Sequence, residues 1–199
     1  MIESQYIVLN DVIPRQYQDD IEALFLGDNS MPWYFGVETT QENQRVEVTS
    51  VMYHMAYYFK RNGVCSEVYN RVKPALWMMI DRAGLPFHEF LQIRAIIQFP
   101  VITERTHNFI HTDIEERNNI PYYTGVYYVN DDTDGDTVLF DEFSSNIPYH
   151  QVQKNYHNFK EIHRVNPQRG RVTIFDGQRY HSSTLPTKKT RSVLNFSWY

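Results

Sequence analysis

Residues 90–199 consist largely of short β-rich runs separated by turn residues. Valine, isoleucine, threonine and aromatic residues concentrate in these runs, as is typical of strands. The runs cover residues 91–99, 109–111, 122–129, 137–140, 159–165, 171–175 and 190–198. A parallel sheet would need helical crossovers in the gaps, which hold turn residues instead. The pattern therefore predicts an antiparallel sandwich or barrel.

The first half of the chain shows helical periodicity after a short apolar strand at residues 6–9. A first helix follows Pro14, because the first turn of a helix tolerates proline. Its apolar stripe consists of Tyr17, Ile21, Leu24 and Phe25. These positions recur at the spacing of one helix face.

Two further helices are predicted before residue 90. The second covers residues 46–60 and ends before Asn62 and Gly63, since these residues favour the left-handed conformation that closes a helix. Its apolar stripe consists of Val51, His54, Met55 and Tyr58. The third covers residues 66–82, although Pro74 in its interior threatens a kink.

A length of 199 residues fits one domain, and a hydrophobic content of 42% is enough for a substantial core. We expect a single domain over residues 1–199. Residues 1–89 would supply the N-terminal strand and supporting helices, and residues 90–199 the mainly β core. The polar and aromatic segment 142–158 is long enough to be a functional loop.

Charge and cysteine content exclude several classes of protein. The 24 acidic and 19 basic residues give a net charge of −5, which lacks the cationic surplus that phosphate backbones attract. Nucleic acid is therefore an unlikely partner. Cys65 is the single cysteine, and the first residues resemble no secretory leader. No stretch approaches the roughly 20 apolar residues of a membrane span. We expect a cytoplasmic protein that does not enter membranes.

The eight histidines include two with ligand-like surroundings. In His111-Thr112-Asp113, the first and third side chains of an extended strand project to the same side and can share one ion. His181 follows the run 171–175 and a turn. If the two segments pair, these residues form a facial triad of two imidazoles and one carboxylate, which suits iron(II) and leaves coordination positions open. Such a triplet alone arises easily by chance.

Arg191 strengthens the hypothesis of an active site. It lies ten residues after His181 on the final strand. An interior arginine requires an anion, and its planar fork matches a carboxylate. Neighbouring strands could thus present a metal ligand and an anion-binding group.

Together these motifs resemble the iron(II)- and 2-oxoglutarate-dependent dioxygenases, specifically the prolyl-4-hydroxylase-like branch and its small phage and bacterial types. The matching segments are HTD (111–113), TGVYYVND (124–131), GDTVLF (135–140), RVTIFDGQRYHSS (171–183) and TRSVLNFSWY (190–199). They span about half the chain in the order found in the family. The resemblance implies a double-stranded β-helix, a cupin-like jelly roll whose larger sheet is supported by N-terminal helices.

The resemblance also implies a role for each matching residue. His111, Asp113 and His181 would bind the iron. Arg191 would pair with the distal carboxylate of 2-oxoglutarate, and Tyr128 would hydrogen-bond the same carboxylate. Three further residues would line the cosubstrate site: Thr124, Ser183 and Asn195. The family's tyrosine about ten residues before the first histidine is missing here, and Gln98 is a possible substitute.

The implied reaction is hydroxylation of a substrate by dioxygen, with decarboxylation of 2-oxoglutarate to succinate. The substrate could be a protein side chain such as peptidyl proline, or a small molecule. Two alternatives stay open: a noncatalytic jelly roll that serves as a binding or virion structural module, and a cupin-like metal enzyme that does not use 2-oxoglutarate. The acidic run at residues 130–135 partly resembles a calcium loop. Because strands flank it, we interpret it as a solvated hairpin turn.

Overall fold

The computed structural model of the chain describes residues 5–28, 30–35, 51–102, 107–114 and 121–199. These residues form β-strands and three α-helices, with short 3-10 helices at Phe59–Arg61 and Tyr156–Asn158. The strands are β1 (Tyr6–Leu9), β2 (Tyr34–Phe35), β3 (Val51–Tyr58), β4 (Gly63–Val64), β5 (Phe90–Gln98), β6 (Tyr123–Tyr128), β7 (Thr137–Phe143), β8 (Glu161–Val165), β9 (Val172–Asp176), β10 (Arg179–Ser183) and β11 (Arg191–Trp198). The helices are α1 (Arg15–Leu26), α2 (Val68–Arg82) and α3 (Tyr149–Asn155).

The larger sheet is antiparallel and has the strand order β1-β9-β6-β11-β5-β3-β2, with β4 paired to β3. Strand β11 lies between β5 and β6, and each of its eight residues is buried. Alternate side chains of a strand point to opposite faces. One face of β11 therefore contacts the helices, and the other points into the molecule.

A smaller antiparallel sheet with the order β10-β7-β8 faces the larger one. Beyond β10 it is extended by isolated bridges that pair His107 with Thr184 and His111 with His181. Apolar side chains of both sheets meet in one buried cluster: Val126, Tyr128, Leu139, Val165, Phe175 and Val193. The molecule is thus a two-sheet sandwich, as the turn-rich second half of the sequence predicts.

Helices α1 and α2 cover the outer face of the larger sheet. The predicted stripe of α1 is buried at Ile21, Leu24 and Phe25, and it packs in the same cluster as Leu76 and Met79 of α2. Burial of a large apolar side chain stabilises a fold by about 1.5–3 kcal/mol. The first and third predicted helices are therefore confirmed, and Pro74 lies inside α2.

The second predicted helix is wrong. Residues 51–58 form β3, which pairs along its length with β5, whereas residues 46–50 lie outside the described part of the chain. A short apolar and aromatic run fits either a helix or a strand, and pairing with a buried neighbour decides between them. Asn62 (φ 60°) and Gly63 (φ 93°) do adopt the left-handed conformation, but they turn the chain into β4.

Two other segments differ from expectation. The segment 142–158, predicted as a loop, contains α3, whose Val152 is fully buried against Val138 and Phe140 of the smaller sheet. His181 follows β9 and a turn as expected, but it also lies within a further strand, β10, that was not predicted. A bulge between Arg179 and His181 interrupts the pairing of β10 with β7. The bulge leaves only a short stretch of regular alternation, which makes the strand hard to recognise in the sequence.

The N-terminal region contributes more than helices. Strand β1 pairs with β9 and strand β3 with β5, so residues before 90 extend the larger sheet at both edges. The division into supporting and core regions stays a prediction. Among the described residues, no helix combines the length and apolar content that a membrane crossing requires.

Candidate active site

Two histidines are brought together by the edge of the smaller sheet. His111 and His181 form a backbone bridge in which each amide donates to the other's carbonyl at 3.0 Å. Their ring centroids lie 4.5 Å apart. Asp113, two residues beyond His111, places its carboxylate beside both rings, as the alternation of an extended chain predicts.

The three side chains form a compact set of potential metal ligands, which we call the metal triad. One ligand atom from each lies within 4.8 Å of the other two. His111 Nε2 is 3.9 Å from Asp113 Oδ1, and His181 Nε2 is 3.6 Å from Asp113 Oδ2. Two imidazoles and a carboxylate suit a divalent transition metal and leave further coordination positions for other ligands.

Both imidazoles are held in the tautomer that a metal needs. Nδ1 of His111 lies 2.9 Å from the carbonyl oxygen of Phe109, and Nδ1 of His181 lies 3.2 Å from that of Arg179. A carbonyl only accepts, so each Nδ1 carries the proton and donates it. Each Nε2 therefore presents its lone pair toward Asp113. The donor set therefore fits a bound metal.

The ionisation states also fit a metal site. Burial and, to a smaller extent, the neighbouring His111 lower the pKa of His181 to about 4. Burial likewise lowers the pKa of His111, so both imidazoles are neutral at physiological pH. Burial alone would raise the pKa of Asp113, but its interactions with His181, His111 and Arg94 and the hydrogen bond from Asn195 hold it below its ordinary value. Metal binding requires this combination of neutral imidazole and ionised carboxylate.

Asp113 is oriented by two side chains of the larger sheet. Asn195 Nδ2 donates to Oδ2 at 3.1 Å, and Arg94 Nη2 lies 3.4 Å from Oδ1. Asn195 and Arg94 are direct partners across β11 and β5. The carboxylate, whose surface is fully buried, thus lies between the two sheets.

Arg191 occupies the other end of the same interior face of β11. Its side chain is buried, with Nε donating to the carbonyl of Gly135 at 2.6 Å and Nη2 to Thr137 Oγ1 at 3.0 Å. Within the described residues it forms no ion pair. Burial lowers the pKa of Arg191, because the charged form loses hydration. A buried cation without a counter-charge is costly unless an anionic ligand binds it.

Tyr128 adds a second donor beside Arg191. Its hydroxyl donates to Thr137 Oγ1 at 2.6 Å, and the Arg191 guanidinium lies 5.7 Å from its ring centroid. Burial raises the pKa of Tyr128 to about 12, although Arg191 counteracts the shift. The phenol is therefore protonated at neutral pH. A carboxylate that enters here would meet a guanidinium and two hydroxyl groups, which all bind such an anion.

Gln98 and Ser183 complete this region, which we call the Arg191 pocket. Gln98 is the cross-strand partner of Arg191 and is 1% exposed. Its Oε1 accepts a hydrogen bond from Ser183 Oγ at 3.4 Å, while its buried Nε2 has no hydrogen-bond partner among the residues that the structure describes. Buried donors in folded proteins are nearly always paired. The unpaired amide is therefore available to a ligand of the pocket.

Comparison with known proteins relates this arrangement to solved enzymes. No family model and no curated protein matches the sequence. A prolyl hydroxylase from Trichoplax adhaerens, solved with a peptide of hypoxia inducible factor, matches with a TM-score of 0.61. It is 13% identical, and the match covers 99% of this chain and 84% of that one. The fold is a double-stranded β-helix.

Two further structures share it. An oxidoreductase of the 2OG-Fe(II) oxygenase family from Burkholderia pseudomallei matches with a TM-score of 0.62 and 12% identity, over 98% of this chain and 85% of that one. HygX from Streptomyces hygroscopicus, solved with nickel, 2-oxoglutarate and hygromycin B, matches with a TM-score of 0.58 and 10% identity, over 98% and 82%. The expected similarity in fold to prolyl hydroxylases is thus confirmed.

Within the double-stranded β-helix, the remaining predicted residues lie in different places. Ser183 belongs to the Arg191 pocket. Asn195 contacts the metal triad instead, through Asp113. Thr124 shares a face with Tyr128, but it lies four residues away, about 13 Å along the strand, and its Oγ1 is 3.3 Å from Ser197 Oγ. The structure therefore does not bring Thr124 to the Arg191 pocket.

Sequence reasoning missed three residues of the site. Thr137 receives hydrogen bonds from both Arg191 and Tyr128, and Arg94 contacts Asp113. Gly135 lies so close to Arg191 that an added Cβ would be 2.5 Å from Arg191 Cδ. Gly135 and Thr137 both belong to the GDTVLF segment, and that motif could have identified them. Arg94 has no local signal, because only tertiary pairing brings it to Asp113.

Proposed function

We propose that this chain is an iron(II)- and 2-oxoglutarate-dependent dioxygenase that hydroxylates its substrate and converts 2-oxoglutarate to succinate and carbon dioxide. One observation carries the proposal. The metal triad and the buried Arg191, which has no ion pair with any described residue, lie along one interior face of the double-stranded β-helix. A cosubstrate with one chelating end and one anionic end is complementary to this pair of sites.

In this proposal His111, Asp113 and His181 would hold the iron through the two Nε2 atoms and the carboxylate. Bound iron(II) would supply the redox chemistry with dioxygen that amino-acid side chains cannot provide. The protein's own task at this centre is orientation. The carbonyls of Phe109 and Arg179 keep both imidazoles in the ligand tautomer, while Asn195 fixes the carboxylate.

The Arg191 pocket would bind the distal carboxylate of 2-oxoglutarate. Arg191 would supply the charge, and Tyr128 a neutral O–H donor. Thr137 holds both in place, and the amide of Gln98 could serve where the family's tyrosine is missing. Because these groups are buried, water competes weakly and each charge-assisted hydrogen bond is worth about 1.5–3 kcal/mol.

The proposal includes two classes of substrate. The Trichoplax enzyme is solved with a peptide and HygX with hygromycin B, so the shared fold accommodates both classes. Fold does not define substrate. For this chain we keep both a protein side chain such as peptidyl proline and a small molecule. A cytoplasmic location and a single domain stay predictions, as does the absence of a nucleic-acid partner.

A noncatalytic jelly roll is the rival hypothesis. Such a module needs neither a metal site nor a buried cation, so selection would favour an apolar residue at position 191, where the charge is costly. The conjunction of Arg191 with the metal triad therefore supports an enzyme. A cupin-like metal enzyme would use the triad but would not depend on Arg191.

The test is anaerobic addition of iron(II) and 2-oxoglutarate to the purified full chain. We expect a visible metal-to-ligand charge-transfer band and, after admission of air, succinate formation. The His111→Ala variant should show neither. No band together with no succinate above the His111→Ala background would refute the dioxygenase. Metal binding that is unaffected by Arg191→Met and by 2-oxoglutarate would favour the cupin-like alternative.

A further inference from the structure

We infer that Arg94 is the docking group for a carboxylate on the primary substrate, so that this site acts on carboxylate-bearing molecules. The inference rests on the proposed function, since it assigns the substrate class for the same site. It derives from the position, the hydrogen bonding and the charge of a residue that the metal and the cosubstrate do not require.

The position of Arg94 is fixed by strand register. On β5 the side chain of Arg94 lies on the same interior face as those of Gln92 and Gln98. Arg94 pairs with Asn195 of β11 on one side and with Met55 of β3 on the other. Asn195 contacts the metal triad directly. Arg94 therefore lies beside Asn195 on the side of β11 that faces β3, away from β6. Its side chain is 18% exposed, so a ligand can reach it.

The guanidinium of Arg94 is incompletely paired. Its ion pair in the described part of the chain is with Asp113, where Nη2 lies 3.4 Å from Oδ1. Its buried Nε has no hydrogen-bond partner within the described ranges of the chain. An arginine has five N–H donors in a planar fork that suits two carboxylate oxygens at once. Several of these donors stay available for a ligand.

Charge balance indicates what that ligand is. A divalent metal with Asp113 leaves one positive charge, 2-oxoglutarate adds two negative charges, and Arg191 restores neutrality. Asp136 also acts on Arg191, but its carboxylate forms an ion pair with Arg164 and so leaves this balance unchanged. Arg94 is then a cation without a counter-charge, because the metal competes for the Asp113 carboxylate. A cation in a partly buried site favours an anion. One carboxylate on the substrate would neutralise the loaded site.

The rival role for Arg94 is that of a positioning residue that only orients Asp113. Asn195 already holds the other oxygen of Asp113 at the shorter distance of 3.1 Å. If positioning were its function, loss of Arg94 would weaken metal binding. If docking is its function, metal and 2-oxoglutarate would bind nearly unchanged and substrate discrimination would be lost.

The experiment uses the full chain loaded with Mn²⁺ and 2-oxoglutarate. A panel of small carboxylic acids, each paired with its neutral primary amide, is titrated by calorimetry into wild type, Arg94→Met and Arg94→Lys. We expect at least one acid to bind wild type about 10- to 100-fold more tightly than its amide, as for a charge-assisted pair. Arg94→Met should lose this preference, and Arg94→Lys should retain part of it.

The controls separate the possible failures. Arg71→Met removes an exposed arginine of α2 and should behave as wild type, while thermal unfolding verifies that each variant folds. The inference is overturned if no acid binds wild type more tightly than Arg94→Met, or if Arg94→Met weakens Mn²⁺ binding as strongly as acid binding. Loss of 2-oxoglutarate binding in wild type would instead refute the proposed function.

Discussion

Replacing Arg191 with methionine separates stability from ligand binding. The change removes hydrogen bonds to Gly135 and Thr137, each worth about 1–3 kcal/mol when a buried partner is left unpaired. It also removes a buried charge without an ion pair, whose desolvation costs several kcal/mol. We therefore expect the unliganded variant to be as stable as wild type, or more stable by up to about 3 kcal/mol.

Ligand-dependent stabilisation should fall sharply. Loss of about 2 kcal/mol of charge-assisted binding weakens 2-oxoglutarate affinity roughly 30-fold. At a ligand concentration of about 100 times the wild-type Kd, wild type gains about 2.7 kcal/mol and the variant about 0.9 kcal/mol. For a protein of this size, the shifts in Tm are about 5–11 °C for wild type and about 2–4 °C for the variant.

The assay is thermal unfolding with Mn²⁺ present, with and without 2-oxoglutarate. Arg169→Met is the matched control, because it also removes a guanidinium that is only 13% exposed, but one paired with Asp19 and Glu22 of α1. We expect this control to lower the basal Tm and to keep the full ligand shift. An equal ligand shift in wild type and Arg191→Met would refute the assignment of Arg191 to the cosubstrate.

Three further predictions concern neighbouring groups. His111→Ala should bind Mn²⁺ at least about 10-fold more weakly, since a ligand is lost; calorimetry showing unchanged affinity would contradict the metal triad. Tyr128→Phe should weaken 2-oxoglutarate binding about 5-fold, as for loss of one neutral hydrogen bond. Because burial raises the pKa of Tyr128 to about 12, the phenol donates throughout pH 6.5–9, and the ratio of the two affinities should stay constant there; a ratio that falls toward pH 9 would oppose this interpretation. Gly135→Ala places Cβ 2.5 Å from Arg191 Cδ, so urea unfolding should show a loss of about 1–3 kcal/mol; an unchanged midpoint would show that Arg191 moves freely.

Local pattern predicted the parts of the fold whose period is unambiguous. The stripe of α1 and the β-rich run that forms β11 were both identified from sequence. The run Val51–Tyr58 was not, because eight apolar and aromatic residues satisfy a helical stripe as well as an alternation. Only the neighbouring strand β5 supplies the hydrogen bonds that select the strand, and β5 begins 32 residues after β3 ends.

The candidate site divides in the same way. The predicted ligands His111, Asp113 and His181 lie together as the triad hypothesis requires, since two of them are two residues apart in one segment and the third follows a recognisable turn. Their roles stay proposals. The sequence did not identify Arg94 as a site residue, because the pattern of an apolar strand does not show which face an arginine within it occupies. Thr124 was expected beside Tyr128 because the two side chains share a face of β6. Their spacing of four residues separates the side chains along the strand.

The place of β11 has a consequence for folding. Strand β11 lies between β5 and β6, and both of these strands precede it in the sequence by dozens of residues. The larger sheet therefore cannot be completed from local hairpins. Non-local pairing of this kind slows folding, typically to about milliseconds to seconds. Asn195, which steadies the carboxylate of Asp113, and Arg191 both arrive with this strand. Assembly of the backbone and acquisition of ligand affinity should therefore occur in one kinetic event, and a refolding experiment should find no intermediate that binds metal before the sheet closes.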